Sequence, residues 1–190
     1  MQKDELKKLI KADTYRYYAG EKKQIFWNIR NVTLRYTIVQ RKAHYYSLKK
    51  GMISKIMEIW YRYRLNVLSR KYLIQIPYPV IIGKGLNIVH YGRVIVAPTV
   101  CIGDNCNIFT GVTIGSTVRG EKGGVPKIGN CVWIGPNAVI VGKIKIGNNV
   151  LIAANSYVNF DVPDNSIVIG NPGKIIHREN ATEGYICQKV

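Results

Sequence analysis

Three histidines (His44, His90 and His177) and four cysteines (Cys101, Cys106, Cys131 and Cys187) are the side chains best suited to proton transfer, nucleophilic attack or metal ligation near neutral pH. The cysteines form no CxxC pair, which fits a reducing, cytosolic setting better than a disulfide or zinc framework. His90 is the candidate general base, because a neutral imidazole can accept a proton near pH 7. Read as a residue alone, a single histidine is more often a solvated surface group.

The elements that must position His90 follow from a repeat. From Val96 an aliphatic residue returns every six positions, at Ile102, Ile108 and Ile114. After one interruption the frame resumes at Ile128, Ile134, Ile140, Ile146, Ile152 and Val158. A second small or apolar residue sits four places after each, as at Val100, Cys106, Val112, Ala138 and Ser156. Six residues suffice for one short strand and a turn, and three such units close a triangular coil. Stacked coils bury continuous Ile and Val ladders, each leaning on its neighbours.

Breaks in such a solenoid map to loops on one face. The first, Val89-His90-Tyr91-Gly92-Arg93, stretches six residues to eight and carries His90. The second, from Gly115 to Lys127, holds the glycine-rich run Ser116–Gly124 and is expected to protrude as a mobile loop. Cys106 falls on an inward position and Cys101 and Cys131 beside inward ones, so packing accounts for all three better than nucleophilic attack.

Residues 1–76 lack the six-residue period and contain no proline, so helices are expected there. Ile25, Ile29, Val32 and Tyr36 keep helical spacing, as do Ile53, Ile56, Trp60, Tyr63 and Val67, with Gly51 between the two sets. Pro77 and Pro79 end the segment. The chain is divided accordingly into a helical part (1–76), a β-helix (77–178, with the loop 115–127) and a tail (179–190).

Lys and Arg total 28 against 11 Asp and Glu, a net charge of +17. Residues 1–76 hold 18 basic and 5 acidic side chains, and residues 77–190 hold 10 and 6. The basic segment therefore needs its own explanation. Its Arg, Trp, Tyr and Ile suit an anionic membrane surface, or an apolar stripe packed on the β-helix or a neighbouring subunit. Nucleic acid is not the expected partner. No apolar run reaches the roughly 18 residues that span a bilayer, and the charged opening Met1–Glu5 does not read as a secretory signal. A soluble, cytoplasmic chain, possible at the inner face of a membrane, is expected.

The six-residue pattern resembles the hexapeptide-repeat acyltransferases. That resemblance implies a mainly β fold, a left-handed parallel β-helix with an N-terminal α-helical segment, assembled as a homotrimer. Gly85–Val96 looks like the catalytic His turn of the serine acetyltransferase type. Gly111–Gly115, the glycine-rich loop, Pro126–Gly129 and the closing Val162–Lys174 follow in that family's order. The similarity covers about residues 77–178.

The resemblance implies acetyl transfer from acetyl-CoA to a hydroxyl, with His90 as base and no covalent enzyme intermediate. It places the CoA arm along Gly115, Ser116, Trp133, Gly135 and Ala153, with Lys127 and Lys174 toward its phosphates. Trp133 would stack on the adenine or cover a trimer contact, and the alternative for the lysines is a solvated surface position. No metal is implied: related zinc enzymes of this fold use three His, and only His90 lies in the repeat.

Two positions depart from the serine acetyltransferase pattern. Val89 stands where that group has an Asp before the catalytic His, and Val125 where it has a second His. These departures argue against serine as acceptor, and the Arg- and Tyr-rich start resembles a branch of that group found with surface-polysaccharide biosynthesis, a resemblance that implies a sugar hydroxyl as acceptor. Serine O-acetylation is the alternative, and a noncatalytic β-helix scaffold with a membrane- or nucleic-acid-binding basic arm is a third reading.

Overall fold

The structure, a computed structural model, describes residues 1–18 and 31–190. Helices α1 (Lys3–Tyr18), α2 (Val32–Ser47) and α3 (Met52–Tyr72) precede a three-sided solenoid. Face A stacks β1 (Ile74–Gln75), β4 (Val94–Val96), β7 (Thr113–Gly115), β10 (Val139–Val141) and β13 (Tyr157–Val158). Face B stacks β2 (Ile81–Ile82), β5 (Cys101–Ile102), β8 (Lys127–Ile128) and β11 (Lys145–Ile146). Face C stacks β3 (Asn87–Ile88), β6 (Asn107–Ile108), β9 (Val132–Ile134), β12 (Val150–Ile152), β14 (Ser166–Ile169) and β15 (Lys174–His177). All neighbours run parallel except β14 and β15. The fold is a left-handed β-helix of hexapeptide repeats.

The registers carry the repeat arithmetic. Val139 pairs with Tyr157, eighteen residues on, which is three hexapeptides per coil. The His90 break lengthens this to twenty, pairing Gln75 with Ile95, and the second break to twenty-six, pairing Thr113 with Val139. Ile108, Ile114, Ile134, Ile140, Val150 and Ile152 have no exposed surface and form the interior ladders, with Cys106 among them.

Tight corners follow face B. Along this B–C edge the side chain of each coil accepts a backbone N–H from the coil above it: Asp104 from Lys84 (2.9 Å), Asn130 from Asp104 (2.8 Å), Asn148 from Asn130 (2.9 Å) and Asp164 from Asn148 (2.7 Å). The bonds from Asn148 hold the Asp164 carboxyl below its ordinary pKa. Gly103 allows this stacking: a Cβ there would lie 2.5 Å from the Gly129 carbonyl oxygen. Residues 179–190 return along the same edge, where Thr182 donates to Asn149 Oδ1 and Val190 N–H to Asn105 Oδ1.

The helices pack through polar side chains as well as apolar ones. The first coil leaves a row of backbone groups with no strand above them, which a protein must cover. Tyr36 donates to the Ile76 carbonyl and accepts its N–H, and Gln40 donates to the carbonyls of Pro77 and Val80. Arg41 donates to those of Ile82 and Gly83, and Arg16 to that of Gly85. Asp13, fully buried, accepts from Leu86 N–H and pairs with Arg41 through two hydrogen bonds. Burial pushes its carboxyl pKa up against those bonds.

Three expectations change. Ile25 and Ile29 lie outside the described residues, and α2 starts at Val32 behind the N-cap Asn31, whose side chain accepts from Leu34 N–H. The stripe Ile53, Ile56, Trp60, Tyr63 and Val67 is exposed rather than packed, because α3 docks by its opposite face, through Glu58, Leu65 and Leu68. The glycine-rich loop is a pinned hairpin: Thr117 and Gly124 exchange backbone hydrogen bonds, and the Lys122 carbonyl accepts from Lys143 N–H.

Candidate active site

His90 follows β3 at the edge where face C turns to face A. The eight-residue break makes room there through Gly92, at φ +113°, whose carbonyl accepts from Thr110 Oγ1 and Gly111 N–H. The imidazole is exposed and has no hydrogen-bond partner among the described residues. Tyr91 does not orient it: that ring meets Tyr72 at the end of α3, 5.9 Å between centroids.

The imidazole contacts Phe109 edge-on at 6.2 Å; Phe109 lies 4.7 Å from Trp133, and Trp133 5.2 Å from Tyr185. This aromatic wall crosses three coils and ends on the tail. Phe109 and Tyr185 escape a sequence reading centred on the repeat. Phe109 holds the register position of Gly135 on the next coil, a signal for the pair, whereas nothing local announces Tyr185.

The expected donor residues divide between two edges. Trp133 lies within β9 on face C, Gly135 and Ala153 follow on the C–A edge below His90, and Lys174, opposite Ile169, continues that edge. At about 4.8 Å per strand, the line from β3 to β15 runs about 24 Å. Gly115, Ser116 and Lys127 belong instead to the A–B edge and the start of face B. One chain does not bring the two sets together.

Fit to an acyl carrier differs by residue. Gly135 has a reason to be glycine, since a Cβ would meet the Trp133 ring at 2.7 Å and Ala154 N at 2.8 Å. The Trp133 indole thus lies on that corner between Phe109 and Tyr185. Gly115 has no such reason: a Cβ there would make ordinary contact with Val141 at 3.4 Å. Ala153 lines a cavity of about 500 Å³ between face C and the tail, with Leu151, Ile167 and Tyr185. Ser116, Lys127 and Lys174 are exposed.

The Cys106 thiol is pushed up to about 12 by burial, which removes it as a nucleophile. No group of three or more His, Cys, Asp or Glu able to hold a metal occurs among the described residues. None of the described helices is long and apolar enough to cross a membrane.

Residues 126–159 match the family described as bacterial transferase hexapeptide (six repeats). The serine acetyltransferase of Staphylococcus aureus (strain Mu50) is 43% identical over 103 residues, 54% of this chain and 48% of that protein. The chain spans less than half the length of such curated relatives. Among solved structures, the Brucella abortus serine acetyltransferase in complex with coenzyme A superposes with a TM-score of 0.77 at 27% identity, covering 93% of this chain and 70% of that one. The Neisseria gonorrhoeae serine acetyltransferase in complex with serine gives 0.74 at 27%, covering 92% and 70%.

These relatives overturn the expected sugar acceptor. Proteins matched across the β-helix, and structures matched across the helices as well, are serine acetyltransferases. Val89 and Val125 therefore do not mark a sugar acceptor.

Proposed function

From a hexapeptide-repeat chain that is serine acetyltransferase-like, we propose an acetyl-CoA-dependent O-acetyltransferase whose acceptor is the hydroxyl of serine, with His90 as general base. The observation that carries this reading is the exposed imidazole on the C–A edge, which has no hydrogen-bond partner among the described residues. The serine oxygen attacks the thioester carbonyl carbon while His90 takes the hydroxyl proton. Collapse of the tetrahedral adduct breaks the carbon–sulfur bond, and the His90 imidazolium returns the proton to the leaving sulfur. The products are O-acetylserine and CoA.

Two edges that cannot meet within one prism can meet between prisms. A three-fold assembly that sets the C–A edge of one copy beside the A–B edge of the next gives one groove holding His90, Trp133, Gly135, Ala153 and Lys174 with Gly115, Ser116 and Lys127. A homotrimer is therefore part of the proposal, with each groove using residues of two copies. Of the segments 1–76, 77–178 and 179–190, the first serves as cap only as far as Tyr72, since β1 (Ile74–Gln75) already opens the catalytic β-helix, and the last serves as clasp. Four free thiols support a cytoplasmic location.

The test measures CoA release with serine, and with glycerol and N-acetylglucosamine as control hydroxyls, for wild type and His90→Ala. Thermal unfolding with acetyl-CoA is followed alongside. Serine-dependent release should fall about 10²- to 10⁴-fold in His90→Ala. Acetyl-CoA at about 100 times its Kd should still stabilise both proteins by about 2.7 kcal/mol. Full activity in His90→Ala, or release equal for all three hydroxyl compounds, overturns the assignment.

A further inference from the structure

The outward face of α3 is apolar and is covered by none of the described residues. Ile53 is 77% exposed, Ile56 59%, Trp60 49% and Tyr63 63%. These side chains lie opposite the buried residues Glu58, Leu65 and Leu68. Exposed large apolar side chains are unremarkable singly but mark an interaction surface when contiguous on one helix face.

The charges around the stripe are of one sign. The helix's single acid, Glu58, sits on the inner face and is held by Lys55 at 3.0 Å and Arg62 at 3.3 Å. Arg64 lies over the Trp60 ring at the stripe's border, and Arg70 and Lys71 close its end. Beside the helix, a groove of about 580 Å³ opens between α3 and face A. Arg62, Arg70 and Arg93 line it and no acid does. Arg70 and Arg93 have no ion-pair or hydrogen-bond partner among the described residues. Like charges converging without a counter-ion call for an anion from outside the chain.

We propose that α3 seats this protein on an anionic phospholipid bilayer. The stripe enters the boundary between headgroups and acyl chains, and Arg70 and Arg93 take lipid phosphates in the adjoining groove. Charge decides against a second copy as occupant. A copy docked on the stripe would bring its own Arg64, Arg70 and Lys71 to the same surface, with no acid to meet them. A nucleic acid would meet the arginines but leave Ile53 and Ile56 in water.

The experiment is co-sedimentation of the full chain with vesicles of phosphatidylglycerol and phosphatidylcholine, or of phosphatidylcholine alone. Three proteins are compared: wild type, Ile56→Ser/Trp60→Ser and Arg70→Glu/Arg93→Glu. Wild type should bind the anionic vesicles at least about tenfold more tightly than the neutral ones, and each double variant should lose at least about tenfold. Unchanged thermal unfolding of both variants keeps the loss attributable to the surface. Equal partitioning of all three proteins overturns the proposal. So does sedimentation velocity showing self-association that Ile56→Ser/Trp60→Ser abolishes, which would assign the stripe to a contact between copies.

Discussion

The hydroxyl of Tyr17 occupies both backbone bonding positions of Ile88, donating to its carbonyl at 3.2 Å and accepting its N–H at 2.8 Å. Ile88 is the last residue of β3, two before His90, so a side chain of α1 fixes the strand from which the candidate base departs. Tyr17→Phe should leave both groups unpaired and cost about 1–3 kcal/mol in urea unfolding. A loss below about 0.5 kcal/mol would mean that water replaces the hydroxyl and that α1 does not hold the turn.

The buried Asp13–Arg41 pair should respond asymmetrically. Asp13→Ala leaves Arg41 without its counter-charge and should cost about 3–5 kcal/mol. Asp13→Leu with Arg41→Met removes both charges and should cost less than the single change. A double variant less stable than Asp13→Ala would show that the bonds from Arg41 to the Ile82 and Gly83 carbonyls matter more than the pair.

Alkali should unfold the protein through two groups. Burial raises the Cys106 thiol from an ordinary 9.0 to about 12, and the Tyr17 phenol from 10.0 to about 12. The unfolded chain releases these protons above pH 9 and pH 10, while the native state keeps them. Stability is therefore fully present below pH 9 and falls as pH rises toward 12, by about 1.4 kcal/mol per pH unit for each group. Cys106→Ala should be less stable at pH 8 but lose stability less steeply between pH 9 and 10. Identical slopes in the two proteins would remove Cys106 as the cause.

Gly103→Ala places a methyl 2.5 Å from the Gly129 carbonyl oxygen, a backbone atom that cannot swing aside. The change should cost at least about 1–3 kcal/mol and lower the melting temperature. Gly123→Ala in the hairpin, where the nearest atom is 3.4 Å away, is the control and should be near neutral. Equal effects would deny the B–C edge its close stacking.

The solenoid was legible because its signal is local: within each of the two runs, Val96 to Ile114 and Ile128 to Val158, a ladder residue lies six positions from the next, and all ten are buried. The helical cap was not. The basic segment 1–76 includes Arg16 and Arg41, yet both are buried and bonded to the first coil 41 to 69 residues away. No spacing rule connects a guanidinium to a carbonyl that far along the chain. His90 was legible as the lone imidazole at a break in the period, whereas its neighbour Phe109 became visible only once the coils were in register. The exposed stripe on α3 kept its helical spacing in the sequence, but which side of α3 meets the solenoid is a tertiary fact.

The cap and the closing hairpin also set a limit on length. A parallel solenoid exposes unsatisfied strand edges at both ends, and either could recruit another coil or another molecule. Here Asp13, Tyr17, Tyr36, Gln40 and Arg41 occupy the upper edge, and β15 runs antiparallel against the lowest strand of face C. The upper edge is thus closed to a further coil, and at the lower end of face C the antiparallel β15 interrupts the parallel order that a further coil would have to continue.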